Sequence, residues 1–185
     1  AREGIEQQRL AEQCRIIYPV IPQELTTSEE LQLEPVLDVL HRMKLITSED
    51  GQLWPASKPS EHHEQLLQLS TLLLELLQRL YVVICIANQA LLNRDELRAL
   101  SQASARKLAR LFGLQGAEFS EDLLFDLFID TLISKQYLTL DEQDRLIASS
   151  LLHQVAEQAA QQVIDPAIHL ALQRVIASAL HKREG

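Results

Sequence analysis

Residues 108–138 read LARLFGLQGAEFSEDLLFDLFIDTLISKQYL, and this stretch decides the fold class. A helical pattern runs to Gly113, a residue suited to the position just past a helix end because it enters the left-handed region without a Cβ clash. An acidic turn follows. From about residue 121 to 136, Leu124, Phe125, Phe128, Ile129 and Leu132 recur at three- and four-residue spacings, the signature of a helix burying one face. A short Tyr137-Leu138 exit closes the unit. None of these groups is arranged for chemistry; the segment is built to pack.

Composition extends that reading to the whole chain. Over 185 residues, 46% are apolar while Gly numbers only 5 and Pro 6, which points to an all-α protein with a core of Leu, Ile, Val and Ala. The expected architecture is a bundle of about six to seven helices with a small β-hairpin near residues 45–55. The formal charge of −9 repels both nucleic-acid phosphates and anionic lipid headgroups. Cys14 and Cys85 sit in apolar contexts, as buried free thiols of a reducing compartment do. The first residues show no basic start followed by an apolar run, so no signal peptide is expected.

Punctuation along the chain sets the elements. A helix over residues 2–18 is expected to stop at Pro19. Thr27 with Glu30 forms a capping-box pattern for a helix burying Leu33, Val36, Leu37, Leu40 and Met43. Two short apolar runs around Asp50-Gly51 predict the hairpin, since this pair accepts positive φ. A helix followed by such a hairpin resembles a winged-helix module. Lys58-Pro59-Ser60 marks the clearest linker, giving N-terminal helices plus hairpin over 1–57 and a helical bundle over 58–185, unless the two form one continuous domain. A long helix should run from Ser60 or Glu61 to Ala87. Its LYVVICIA end, residues 80–87, is apolar on every side and belongs at the centre of the core. The whole apolar region 66–87 is interrupted by Gln68, Glu75, Gln78 and Arg79, which suits a core helix better than a membrane span. Asn93 with Glu96 caps a helix from Arg94, Asp141 is expected to cap another through about residue 163, and Asp165-Pro166 restarts the chain. The tail from His181 to Gly185 is expected to fray.

Few residues suggest chemistry. Arg94, Arg98, Arg106, Lys107 and Arg110 could form a basic stripe, and Glu118, Glu121, Asp122, Asp126 and Asp130 an acidic one that takes a cation or a basic partner. Helical spacing suits a solvated face in both cases. His62 and His63 are adjacent and point about 100° apart, a poor arrangement for chelating one ion. No CxxC, HExxH, phosphate-binding glycine loop or nucleophile elbow occurs. No catalytic, cofactor-binding or metal residue is expected, and no cofactor.

Against this background the residue order itself is informative. The run Leu111-Phe112-Gly113-Leu114-Gln115-Gly116-Ala117-Glu118-Phe119 leads without a gap to Phe125, Phe128, Thr131-Leu132 and Tyr137. Upstream stand Leu77-Gln78-Arg79-Leu80-Tyr81, Asn93-Arg94-Asp95-Glu96-Leu97, Ser101-Gln102 and Ala105-Arg106-Lys107-Leu108, and downstream Asp165-Pro166. This order resembles the C-terminal region of the bacterial membrane-associated glycerol-3-phosphate acyltransferases. The likeness spans roughly 45–172 and is densest over 66–138. Phe112 replaces a His of that pattern, Ala117 a Pro, Ser120 a Phe and Gln136 the Gly before Tyr137; all are packing or turn positions. The family's HxxxxD motif pairs a carboxylate with a His base. Here the fifth residues after His41, His62, His63, His153 and His169 are Ile46, Leu67, Gln68, Gln158 and Arg174, so no such pair exists and this chain alone is not expected to be an enzyme.

The resemblance implies a non-catalytic region of an enzyme that moves a fatty acyl group from acyl-ACP or acyl-CoA to the 1-hydroxyl of glycerol 3-phosphate, the first step of phospholipid synthesis. It implies as partner the catalytic domain of the same parent chain, with a homodimer as a further option. It also implies a peripheral place on the cytoplasmic face of the inner membrane, with membrane contact only through the parent. The competing reading is a stand-alone acidic helical interaction module. DNA binding, the third, is opposed by the charge, and no nucleic-acid partner is expected.

Overall fold

The computed structural model describes residues 4–26, 28–112 and 121–184. Among them are seven α-helices and two small antiparallel sheets, the mostly helical fold expected. The helix at the centre is α3 (Glu61–Ala87), 27 residues and about 40 Å long. Ser60 caps it, its Oγ accepting from His63 N–H at 3.1 Å, as the sequence predicts. Every residue from Leu80 to Ala87 is buried. A helix apolar on all sides needs neighbours on all sides. These are α4 (Arg94–Phe112), α5 (Glu121–Ser134), α6 (Ser150–Gln162) and α7 (Pro166–Glu184). Phe125 and Phe128 of α5 add an edge-to-face pair with centroids 6.4 Å apart.

The apolar region 66–87 is a core helix only in its second half. Leu67, Leu72 and Leu73 are each 59% exposed, and Leu69 and Leu74 are exposed too. Composition cannot distinguish a leucine the bundle reaches from one beyond its end.

Before α3 lies a smaller unit. The strands β2 (Ile46–Glu49) and β3 (Gln52–Pro55) form the expected hairpin, with Asp50 at φ 49° and Gly51 at φ 75°, both left-handed as a two-residue type I′ turn requires. A third strand, β1 (Ile5–Glu6), pairs with β3 where the sequence pattern predicts helix. The first helix α1 is therefore Gln7–Ile17 rather than 2–18. Gly4 permits this: a Cβ there would stand 2.9 Å from the Trp54 ring.

The next helix, α2 (Leu33–Arg42), begins later than the capping pattern suggests, with Gln32 in the N-cap position making no side-chain cap bond. Thr27 lies outside the described residues, and Ser28 Oγ accepts from Glu30 N–H in a local bend. Pro35, within the first turn, needs no amide partner there. Of the five residues expected to be buried, only Leu37 is; Val36 is 53% exposed and Met43 is exposed, because α2 meets little beyond β2. The small unit is joined to the rest by α1 against α6, with Gln13 Nε2 donating to Gln162 O at 2.7 Å, and by Lys135 Nζ donating to Pro19 O and Ile21 O.

A second correction concerns residues 138–149. Asp141 caps no helix. It holds the turn of a hairpin made by β4 (Leu138–Leu140) and β5 (Leu146–Ala148), accepting from Gln143 N–H at 2.8 Å and Arg145 N–H at 2.9 Å. Its carboxyl lies below the ordinary carboxylate range, chiefly through the Arg145 amide, with the Arg145 side chain and the Gln143 amide adding to it. The cap of α6 is Ser149, accepting from Leu152 N–H. At the carboxy end α7 continues to Glu184, so 181–184 are helical rather than frayed.

Candidate functional site

The second half of α3 positions a concave polar feature built from several elements. Tyr81 and Cys85, one turn apart, point toward His153 and Glu157 on α6 and His169 on α7, with Asn88 at the rim. The crevice encloses about 510 Å³. Tyr81 Oη lies 2.7 Å from His169 Nδ1, and their rings are tilted at 48°. Burial pushes the Tyr81 phenol well above its ordinary range, with the neighbouring Cys85 adding to it. Burial also pushes the Cys85 thiol up to about 12, the Tyr81 hydrogen bond pulling weakly the other way. Both groups keep their protons at neutral pH. A protonated, buried thiol is no nucleophile. Within the crevice the Tyr81 hydroxyl ties α3 to α7 through His169, and Glu157 supplies a carboxylate on the α6 side. The sequence carries one hint of it: Tyr81 and Cys85 are the only polar-tipped residues of an otherwise apolar run.

The charged residues singled out by spacing face each other. Arg94 Nη2 donates to both carboxylate oxygens of Asp130 at 2.8 Å, and Arg94 Nη1 lies 3.1 Å from Asp126. Arg98 reaches Asp126 at 3.2 Å and Asp95 at 2.9 Å. The Asp130 bond, with the neighbouring carboxylates, raises the Arg94 guanidinium. So Arg94 and Arg98 of the basic stripe and Asp126 and Asp130 of the acidic row pair across the α4–α5 seam rather than standing as free solvated charges. Arg106 is also engaged; Lys107 and Arg110 are exposed. Glu118 and Gly113 lie outside the described residues, as do the side chains of Glu121 and Asp122.

The remaining candidates are structural. His63 Nδ1 lies 3.1 Å from Ala56 O, fastening α3 to the hairpin unit. Both cysteines are free; Cys14 is half-buried rather than buried, and burial raises its thiol. Asn93 and Glu96 form the expected reciprocal box, Asn93 N–H donating to Glu96 Oε2 and Glu96 N–H to Asn93 Oδ1. Asp165 caps α7 through Ala167 N–H at 2.7 Å. Among the described residues no three His, Cys, Asp or Glu side chains converge as a metal site requires. Ser101, Gln102 and Ser104 are buried on α4 and Gln78 on α3.

These features define a helical packing region whose polar groups mostly serve its own seams. Known proteins of similar sequence say which region. A family model described as the glycerol-3-phosphate acyltransferase C-terminal region matches residues 1–141, and the chain belongs to that family. It is 31% identical over 179 residues to a glycerol-3-phosphate acyltransferase of Pseudomonas aeruginosa, covering 92% of this chain and 22% of that protein. It is 32% identical over 190 residues to the enzyme of the same name from Pseudomonas fluorescens, covering 97% and 22%. A third, from Ectopseudomonas mendocina, is 30% identical over 179 residues. The chain thus spans about a fifth of the length of the relatives it matches. No solved structure matches.

Proposed function

We propose that this chain is the non-catalytic helical region of a glycerol-3-phosphate acyltransferase, and that it packs on and stabilises the part of the polypeptide that does the chemistry. The parent reaction is acyl transfer from acyl-ACP or acyl-CoA to the 1-hydroxyl of glycerol 3-phosphate, opening phospholipid synthesis. It takes place on the cytoplasmic face of the inner membrane, where the parent holds this region peripherally. The observation that carries the reading is the match over 92% of this chain and only 22% of a named acyltransferase, in a sequence with no His–Asp pair at HxxxxD spacing. The test is deletion. Removing residues 58–185 from the full-length polypeptide should lower acyl transfer and the yield of folded protein together, while the isolated chain shows no turnover. Full activity and stability after deletion would refute the packing role, and turnover by the isolated chain would refute its non-catalytic character.

A further inference from the structure

The first half of α3 presents a face that no other described element covers. Residues 65–74, QLLQLSTLLL, carry no charge. The two hydroxyls in that run, Ser70 Oγ and Thr71 Oγ1, both donate to Leu67 O, at 2.8 and 2.9 Å, so their protons are used within the helix itself. At 100° per residue, Leu66, Leu69, Leu72 and Leu73 share one side and Leu67 and Leu74 widen it, while Glu61, Glu64, Gln68 and Glu75 occupy the other. Five of these leucines are exposed. A contiguous apolar face of this kind marks a contact surface.

Three occupants are conceivable, and charge separates them. Helices that lie in a membrane surface carry Lys and Arg on their polar side; this one carries exposed Glu61 and Glu64, with Glu75 already paired to Arg79 at 3.7 Å, on a chain of formal charge −9. A second copy brings another formal charge of −9 against the first. A protein groove that is apolar at its floor and basic at its rim satisfies both the leucines and the acids. The relatives place about four-fifths of their length outside the matched region, and a tethered surface meets this one at millimolar effective concentration, so modest complementarity is enough.

We propose that the leucine face of α3 between Leu66 and Leu74 is the surface on which the rest of the acyltransferase polypeptide seats this region, through an apolar groove with a basic rim. This rests on the reading under Proposed function. The test uses the full-length polypeptide in its native membrane, with a photoreactive benzophenone amino acid replacing Leu72 and isotopically heavy and light copies mixed. Photolysis is expected to join position 72 to a peptide outside residues 1–185 of the same copy. The yield should be about tenfold above that from a probe replacing the exposed Leu151 on α6, and the pair Leu67→Gln with Leu73→Gln should remove about tenfold of it. Linkage between heavy and light copies, linkage to lipid, or a yield at position 72 no higher than at 151 would overturn the proposal. Acyl transfer in the unmodified polypeptide separates the two levels. Activity without the linkage refutes the docking face alone, whereas an inactive intact polypeptide refutes the reading beneath it.

Discussion

Gln136→Gly should stabilise this protein. At the end of α5 the chain makes a Schellman turn: Tyr137 N–H donates to Leu132 O at 2.8 Å and Gln136 N–H to Ile133 O at 3.0 Å. That pair of bonds places residue 136 at φ 61°, in the left-handed region where a Cβ crowds the backbone. The turn persists because the chain is pinned just beyond it: Leu138 is 1% exposed and begins β4. An L-residue held there costs about 1–2 kcal/mol. Glycine removes that cost and returns about 0.5–1 kcal/mol of it as extra freedom in the unfolded chain. The expected net gain is about 0.5–1 kcal/mol, which raises Tm by roughly 1–4 °C for a chain of this size. Gln136 is exposed, so no packing is lost with the side chain. Urea unfolding of Gln136→Gly beside Gln136→Ala measures it, because alanine deletes the side chain and keeps the Cβ. Glycine should raise the midpoint and alanine should leave it nearly unchanged. A lower midpoint for glycine, or an equal rise for alanine, would show that φ at 136 is not where the strain lies. Lys44 repeats the geometry at the end of α2, with φ 59° and Leu45 N–H donating to Leu40 O at 3.0 Å, so Lys44→Gly should act in the same direction.

Asp126→Asn removes a carboxylate shared by Arg94 and Arg98 and should cost about 1 kcal/mol at low salt, shrinking as sodium chloride rises toward about 1 M; urea midpoints across that range read it, and a salt-independent loss would argue against an electrostatic origin. Asp141→Asn should destabilise at neutral pH. A carboxyl depressed in the folded state contributes stability above its unfolded pKa and loses it as pH falls through the folded one, so thermal midpoints of variant and parent should converge in acid. Ser101→Ala and Ser104→Ala remove buried hydroxyls that have no hydrogen-bond partner among the described residues. Each should be neutral or stabilising by up to about 1 kcal/mol in urea unfolding, since no bond is lost.

What the sequence makes legible is what depends on neighbours within one turn. The caps at Ser60, Asn93–Glu96 and Asp165, the Asp50-Gly51 turn and the apolar periodicity of α5 are all local, and all form as their residues dictate. Asp141 shows where locality runs out. The same acceptor can cap a helix or hold a hairpin turn, and the choice is made by whether the next apolar residue, Leu146, finds a partner; it finds Leu92, whose carbonyl accepts its N–H at 2.8 Å. The two-residue strand β1 is too short to have a period. The Tyr81–His169 contact joins residues 88 apart, and nothing in either neighbourhood announces the other. The arginines of α4 and the aspartates of α5 are each visible as rows, but their opposition depends on the rotation of two packed helices about their own axes.

That opposition bears on how the region meets other surfaces. A charge already satisfied by an internal partner is a weak handle for an external one, because a newcomer must displace a bond of the same kind at similar distance. Arg94, Arg98, Asp126 and Asp130 are spent in this way along the α4–α5 seam. The Tyr81 and Cys85 tips are likewise turned into a crevice between helices rather than outward. Exposed apolar surface remains as well: the leucines of α3 before residue 75 and, on the smaller unit, Val36, Val39 and Met43 of α2. Apolar faces gain from contact without having to break a prior bond. A region attached chiefly through such faces, with the α3 glutamates adding a smaller charge contribution at the rim, should loosen on cooling and lose only modestly to salt, unlike one held by a basic stripe.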